Sequence, residues 1–306
     1  MNNSDIKVSI IMPSYNHEGT ISRAIEGVLK QKTEYKYQLL IGDDSSKDNS
    51  QQIIEEYAEK YPDIIVAICR KKNLGAMLNI KDLTMKSIGE YIAICEGDDY
   101  WIDELKLQKQ ISFLEANPDY SACYTKCSIL VDGKEVRYSF ANSDSISMDD
   151  MLNEGEVKRY ATCTLVTRNF YRKKPELLEY FAGNVGDLIM QTLAVKYGKI
   201  RYMDVLTGVY DKIVSSGSSF SAKPMEKQVE DARKAINICK EIAGYGFEKQ
   251  WDSYLAGFYI ALFWEKKKAC GTFSTLKWLK GIEKRERQAV LKRLRMDYIN
   301  AKREKN

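Results

Sequence analysis

Short, almost wholly apolar runs alternate along the chain with stretches whose apolar residues return every three or four positions. Val8-Ser9-Ile10-Ile11-Met12 is a β-branched run stopped by Pro13, and Thr20 to Lys30 then carries Ile21, Ala24, Ile25, Val28 and Leu29 at helical spacing. The unit recurs. Tyr37 to Gly42 predicts a strand, Asp43 to Asn49 a loop, and Ser50 to Tyr61 a helix through Ile53, Ile54, Tyr57 and Ala58. Ile64 to Cys69 is a third strand, followed by a loop at Asn73-Leu74-Gly75 and a helix to about Lys86, and Tyr91 to Cys95 is a fourth. Strands apolar on both faces that alternate with helices imply an α/β fold, its mostly parallel sheet flanked by helices. Such sheets bind ligands beyond the carboxyl ends of their strands. Ser14-Tyr15-Asn16, Asp43-Asp44-Ser45-Ser46 and Glu96-Gly97-Asp98-Asp99 therefore fall on one rim, far apart in sequence and able to converge.

After Trp101 the spacing predicts a helix over Asp103 to Asn117 with Leu105, Ile111 and Leu114 toward the sheet. Tyr120 to Val131 reads as a strand that turns at Asp132-Gly133 into a short partner around Glu135 to Phe140. A strand at Thr162 to Val166, a helix at Asp187 to Tyr197 and a strand at Lys199 to Tyr202 follow. From Pro224 onward only helices are expected, at Met225 to Ala243, Lys249 to Lys268 and Leu276 to Arg303. The division is thus a sheet-bearing domain over residues 1–222 and a C-terminal helical region over residues 223–306.

The tail also differs in charge. Trp264 to Asn306 holds fourteen Lys/Arg against five Asp/Glu in a chain whose net charge is +4, so the body is mildly acidic. With Trp278, Leu279 and Ile282 on one side, the basic segment from Lys277 to Arg303 suits a peripheral contact with an anionic membrane, or an ordinary solvated helix face. No run approaches the ~18 apolar residues of a spanning helix. Met1 to Asp5 offers no basic segment leading into an apolar one, so no secretory signal is expected. Seven cysteines without paired metal spacing read as reduced thiols. The expected location is cytoplasmic, at most peripheral at the inner face of the membrane.

Two or three carboxylates within four residues after a buried strand repel one another unless a positive charge sits between them. Hard oxygen ligands suit Mn²⁺ or Mg²⁺, which such sites share with substrate phosphates. Asp98 and Asp99 are the first candidates to hold the metal, with Glu96 reaching it through water; the other reading is a helix-capping turn. Asp43-Asp44 is a second acidic pair on a neighbouring strand end, able to accept a hydrogen from a nucleotide base or to serve the turn itself. The single histidine, His17, excludes a multi-histidine zinc site. Neither a Gly-x-Gly-x-x-Gly fingerprint nor a Gly-Lys-Ser/Thr phosphate loop is present, which removes dehydrogenase and ATPase readings.

The order Val8-Ser9-Ile10-Ile11-Met12-Pro13-Ser14-Tyr15-Asn16, Gly42-Asp43-Asp44-Ser45-Ser46-Lys47-Asp48-Asn49-Ser50, Asn73-Leu74-Gly75 and Glu96-Gly97-Asp98-Asp99-Tyr100-Trp101 resembles glycosyltransferase family 2, of bacterial surface-polysaccharide type. The likeness covers roughly residues 6 to 210. It implies a GT-A fold and an inverting, metal-dependent transferase. Such an enzyme moves a hexose or N-acetylhexosamine from a nucleotide-sugar donor, a UDP-sugar, to a hydroxyl of a glycan or lipid-linked saccharide. No nucleic-acid partner is expected. By position, the resemblance assigns donor binding to Pro13, Ser14, Tyr15, Asp43, Asp44, Lys72, Asn73, Gly75, Glu96, Gly97 and Asp98. Asp98 matches the last acid of the metal-binding Asp-x-Asp signature, while Glu96 replaces its first Asp. Val185-Gly186-Asp187-Leu188 matches the segment that carries the general base, which makes Asp187 the candidate, alongside plain helix capping. Tyr210-Asp211 stands where relatives often carry Tyr-Arg, leaving Lys212 as a substitute cation, and Val214 to Ser221 matches a loop that closes over donor phosphates.

Two other classes are weighed. A sugar nucleotidyltransferase would open with a Gly-rich, Arg-bearing loop after the first strand, which Pro13-Ser14-Tyr15-Asn16 is not. A non-catalytic nucleotide- or glycan-binding protein would keep the sheet without turnover.

Overall fold

The computed structural model describes residues 5–136, 145–152, 160–181, 186–212, 223–244 and 246–303. Among these residues one mixed sheet is built from β1 (Val8–Ser14), β2 (Tyr37–Asp43), β3 (Ile65–Cys69), β4 (Tyr91–Ile94), β5 (Tyr100–Trp101), β6 (Tyr120–Val131), β7 (Lys134–Val136), β8 (Ser145–Ile146), β9 (Val166–Arg168) and β10 (Lys199–Lys212). Its path is β3-β2-β1-β4-β9-β6-β10-β5, with β7 paired to β6 and β8 to β10. The first four strands of that path run parallel, β9 is antiparallel to both neighbours, and β6 and β10 are parallel again. The helices are α1 (Ile21–Leu29), α2 (Ser50–Lys60), α3 (Ala76–Lys86), α4 (Lys106–Ala116), α5 (Met148–Met151), α6 (Gly186–Tyr197), α7 (Met225–Ala243), α8 (Glu248–Lys280) and α9 (Lys284–Arg303).

Strand alternation explains the layering. Val8, Ile10 and Met12 of β1 enter one core with Ile21, Ala24, Ile25 and Val28 of α1 and Leu107, Ile111 and Leu114 of α4. Ile11 points the other way, into a core with Met77, Ile80 and Leu83 of α3 and Leu188, Ile189 and Leu193 of α6. Each such side chain contributes about 1.5–3 kcal/mol when fully buried, so the sheet is held from both faces. The second core continues without a break into Val229, Ala232 and Ile236 of α7, Trp251 and Leu255 of α8 and Val290 of α9. The helical region therefore packs on the α3/α6 side of the sheet. The division drawn at residues 222/223 falls beside 213–222, outside the described residues, as do Val185, the loop from Val214 to Ser221 and the end of the strand drawn to Phe140.

Several elements depart from the periodicity. The run at Thr162 to Val166 is not one strand: Thr162–Thr164 is a 3₁₀ turn and the strand begins at Val166. Thr164 directs both its amide and its hydroxyl to the Ala161 carbonyl, which competes with a ladder. β10 runs to Lys212 rather than Tyr202, because register shifts between Met203 and Gly208 hide its alternation. In α4, Leu105 is exposed and Leu107 takes the buried place. The last two helices break elsewhere than expected. Gly271, at φ 79° and ψ 168°, kinks α8 in a conformation open to glycine, and the chain breaks again between Lys280 and Lys284. Leu279 is buried, and Trp278 and Ile282 pack against the core, so this trio does not form an outward apolar side; among the described side chains of this region Trp264, Leu276, Leu291 and Met296 are exposed.

Candidate active site

The ends of β1, β2 and β4 lie side by side, with Ser14 in register with Asp43. Pro13 sits inside β1, where a missing amide hydrogen would normally cost a ladder bond. Its carbonyl accepts from Gly97 N at 3.0 Å, on the side where β4 has already ended at Ile94. The strand thus loses nothing there. The loops after β1 and β2 are laced together: Asn16 N donates to Ser46 Oγ at 2.9 Å, His17 N to Ser50 Oγ at 2.7 Å and Lys47 N to Asn16 Oδ1 at 2.8 Å. Asn16 and Ser45 hold φ of 56° and 64° to make these turns.

Asp43 and Asp44 are both sealed. Asp43 accepts from the amide and hydroxyl of Ser46, closing its own turn. Asp44 accepts from Leu74 N and Gly75 N, each at 2.8 Å, and so anchors the start of α3. Asn73 adds a bond from Nδ2 to the Asp44 carbonyl at 2.9 Å, and Gly75 turns at φ 89°. Of the residues expected around a donor base, Tyr15 and Lys72 face solvent.

The acidic turn is arranged differently. A Cβ on Gly97 would lie 2.6 Å from His17 Nδ1 and 3.2 Å from Ser14 Oγ, so the turn presses on the β1 loop where only glycine fits. Thr20 Oγ1 fixes it further, donating to the Gly97 carbonyl at 2.8 Å. Asp98 is the open carboxylate, 36 % exposed, with His17 Nε2 3.9 Å from its Oδ2. Asp99 points inward: it is 1 % exposed and its Oδ1 accepts from Asp211 N at 2.9 Å. Glu96 Oε2 and Asp99 Oδ2 are buried oxygens without a hydrogen-bond donor. Desolvation, reinforced by the charge of Asp98, raises the Glu96 carboxyl to about 7, and burial followed by the charges of Asp98 and Glu96 raises Asp99 well above the carboxylate range. Both shifts favour a protonated form of this pair in the metal-free protein.

The two aspartates expected to hold a metal differ in setting: Asp98 offers an open carboxylate, while Asp99 turns inward onto the Asp211 amide. Among the described residues no group of three or more His, Cys, Asp or Glu converges to cage a cation. The donor set fits a hard cation held by one carboxylate and completed by phosphate oxygens, as Mg²⁺ commonly is.

Asp187 opens α6, partly exposed, with Leu188 N on its Oδ1 at 2.8 Å. The same buried phenol registers both Asp187 and the acidic turn. Burial, then the charge of Asp187 and more weakly that of Glu96, holds Tyr124 well above its ordinary value. Gly186 lets this helix start close to α3, since a Cβ there would meet Met77 Sδ at 2.0 Å.

Sequence reasoning passed over four participants. Arg23, on α1, donates from NH2 to the Asp98 carbonyl at 3.1 Å, pairs with the Asp211 carboxylate and lies 4.5 Å over the Tyr100 ring. Asp211 thus holds a cation supplied from another element. Thr162 and Cys163 lower the Glu96 and Asp99 carboxyls against their burial. Lys106 is fully buried below them. A lysine beside Leu107, four residues before Gln110 on one helix, was the available signal for the last.

A family model described as Glycosyl transferase family 2 matches residues 9–173, more than half of the chain. The chain belongs to glycosyl transferase family 2. Two curated relatives show how far the family likeness extends. An uncharacterised protein of Mycobacterium tuberculosis is 41% identical over 125 residues, 41% of this chain and 36% of that protein. The Escherichia coli UDP-Glc:alpha-D-GlcNAc-diphosphoundecaprenol beta-1,3-glucosyltransferase WfgD is 40% identical over 114 residues, 37% of this chain and 43% of the relative. The family 2 chain therefore spans less than half the length of either. Among solved structures, S. aureus TarS in complex with UDP-GlcNAc superposes with a TM-score of 0.66 at 17% identity, over 90% of this chain and 79% of that one. The mannosyltransferase PcManGT from Pyrobaculum calidifontis, in complex with GDP-Man and Mn²⁺, gives 0.52 at 16% identity, over 93% and 83%. At such identities the likeness is one of fold, and it is the GT-A fold.

Proposed function

We propose that this family 2 protein is an inverting glycosyltransferase that moves a sugar from a UDP-sugar to a hydroxyl of a glycan or lipid-linked saccharide. The observation that carries the reading is the rim itself: an open Asp98 beside Glu96 and Asp99, each with a buried oxygen that lacks a donor, with Asp187 as the candidate base at the start of α6. Pro13 to Tyr15, Asp43-Asp44 and Lys72 to Gly75 form the wall on which the nucleotide would lie. The sealed acids shape that wall, and Tyr15 and Lys72 supply its free side chains. The UDP-Glc donor and diphosphoundecaprenol-linked acceptor of WfgD, and the UDP-GlcNAc in TarS, support a UDP-sugar donor and a diphosphate-linked lipid acceptor.

In this mechanism Asp187 accepts the proton of the acceptor hydroxyl as its oxygen bonds to the anomeric carbon. The bond from that carbon to the donor diphosphate breaks, and its electron pair leaves with the nucleotide. Asp98 would hold Mn²⁺ or Mg²⁺ together with the diphosphate, supplying positive charge against the leaving group. Arg23 keeps Asp98 at the rim through its carbonyl, and the loop lacing around Asn16 and Ser46 pre-forms the donor wall.

The domain assignment follows the same reading, with catalysis in residues 1–222 and an appended helical region in residues 223–306. Among the described residues no helix is long and apolar enough to cross a membrane. A peripheral contact would instead use the exposed Leu291 and Met296 beside Lys284, Lys292 and Arg295 of α9. Vesicle flotation with and without anionic lipid reads it directly, and equal recovery from both removes the contact.

Incubation with UDP-glucose and UDP-GlcNAc, with Mn²⁺ or with chelator, tests the function. Cation-dependent release of UDP is expected, raised by a saccharide acceptor. Absence of binding and of release for every nucleotide sugar tried would refute the reading.

A further inference from the structure

We propose that Lys106, with Gln110, is a positioning residue of the acidic turn: the two side chains fix the Thr162–Thr164 turn, which in turn holds the Glu96 and Asp99 carboxyls beneath Asp98. The inference rests on the transferase reading for its functional consequence, but its geometry stands apart from it. Lys106 is 0 % exposed at the first position of α4, on the face that buries Leu107, Ile111 and Leu114. Burying an ammonium without an anion is costly, and a methionine would fill the same space. Its partners explain what the charge is for. Nζ donates to Gln110 Oε1 and to the Thr164 carbonyl at 3.1 Å, and it lies 4.8 Å over the Trp101 ring. Gln110 Nε2 donates to the same Thr164 carbonyl at 3.0 Å and to the Cys123 carbonyl at 3.1 Å, while Trp101 Nε1 donates to the Cys163 carbonyl at 2.7 Å. Two successive carbonyls of the turn are thus held from α4 and β5.

The other side of the turn meets the end of β4 and the acids that follow it. Leu165, next after the turn, accepts from Ile94 N at 3.3 Å, and Thr162 and Cys163 lower the Glu96 and Asp99 carboxyls against their burial. Lys106 itself bonds carbonyls and an indole, so its influence on the carboxyls travels through the turn. Burial lowers its ammonium to about 8, which leaves it charged at neutral pH. Hydrogen bonds from a charged donor are the stronger kind, and a neutral side chain would not pin the turn as firmly.

The test is Lys106→Met, read by hydrogen exchange and by calorimetry of UDP with and without Mn²⁺. The expected result is at least tenfold faster exchange at the Thr164 and Leu165 amides and at least fivefold weaker Mn²⁺-supported UDP binding. Metal-free UDP binding should hold, and the melting temperature should hold or rise, since the buried charge is gone. Native exchange and native Mn²⁺-supported affinity in this variant overturn the proposal. Should Lys106→Met not fold, Thr162→Val breaks the far end of the same path without touching the buried charge. It should weaken Mn²⁺-supported binding to a similar degree, and an unaltered affinity overturns the proposal. If the native protein binds no UDP at all, the transferase reading fails, and unchanged exchange in Lys106→Met or, where that does not fold, in Gln110→Leu still decides against the pair.

Discussion

Asp43-Asp44 and Glu96 to Asp99 are acidic clusters at the ends of neighbouring strands, and they are opposites in their bonding. In the first, the carboxylates accept from Ser46, Leu74 and Gly75, and the clustered negative charge is absorbed by backbone amides. In the second, two buried oxygens have no donor and one carboxylate faces outward. The contrast separates architecture from chemistry: a cluster whose hydrogen bonds are complete fixes a loop, while one left incomplete retains a proton or meets a ligand.

The sharpest way to probe this contrast starts from Asp187, the proposed base. Asp187→Asn should lower transfer on the order of 10²–10⁴-fold with donor affinity nearly unchanged, and turnover near the native rate would remove Asp187 from the mechanism. Asp98→Asn should cost on the order of 10²–10³-fold in turnover and remove the Mn²⁺ dependence of UDP affinity in calorimetry, whereas Asp99→Asn should preserve that dependence.

A pH series addresses the retained proton. The Glu96 carboxyl, at about 7 when folded against 4.5 as its ordinary value, binds its proton more tightly in the folded state. Stability of the metal-free protein should therefore fall as pH rises from about 4.5 to 7, by on the order of 3 kcal/mol, and level off above. Urea unfolding of Glu96→Gln should flatten that slope; an equal slope in both proteins would place the proton elsewhere. The smallest effect belongs to the complete cluster. Asp44→Ala should lose about 1–3 kcal/mol of stability through the orphaned Leu74 and Gly75 amides. A stable Asp44→Ala protein with poor UDP binding would instead make Asp44 a ligand contact.

The parallel half of the sheet was legible because burial on both faces leaves unbroken apolar runs, as in β1 and β2. The rim was legible for the same reason, since strand ends dictate where polar loops gather. What the pattern hid depended on partners distant in sequence. Thr162–Thr164 has strand-like composition, and its turn is imposed by Lys106, Gln110 and Trp101. The roles of Asp98 and Asp99 could not be told apart from two adjacent identical letters, because the Asp211 amide decides which one turns inward. Arg23 was invisible for a similar reason: nothing local to α1 announces a carboxylate on β10.

The contact between Gly186 and Met77 carries a consequence for how such a protein can change. Met77 belongs to the helix that Asp44 anchors on the nucleotide side, and Gly186 immediately precedes the proposed base on the acceptor side. In the proposed reaction the two halves would thereby be spaced by one thioether lying on one bare backbone. A methionine tip is adaptable, so the spacing is adjustable: a side chain added at position 186 must be met by a new rotamer or a smaller residue at position 77. The two positions should therefore change together, and a small residue at 77 should rescue an alanine at 186.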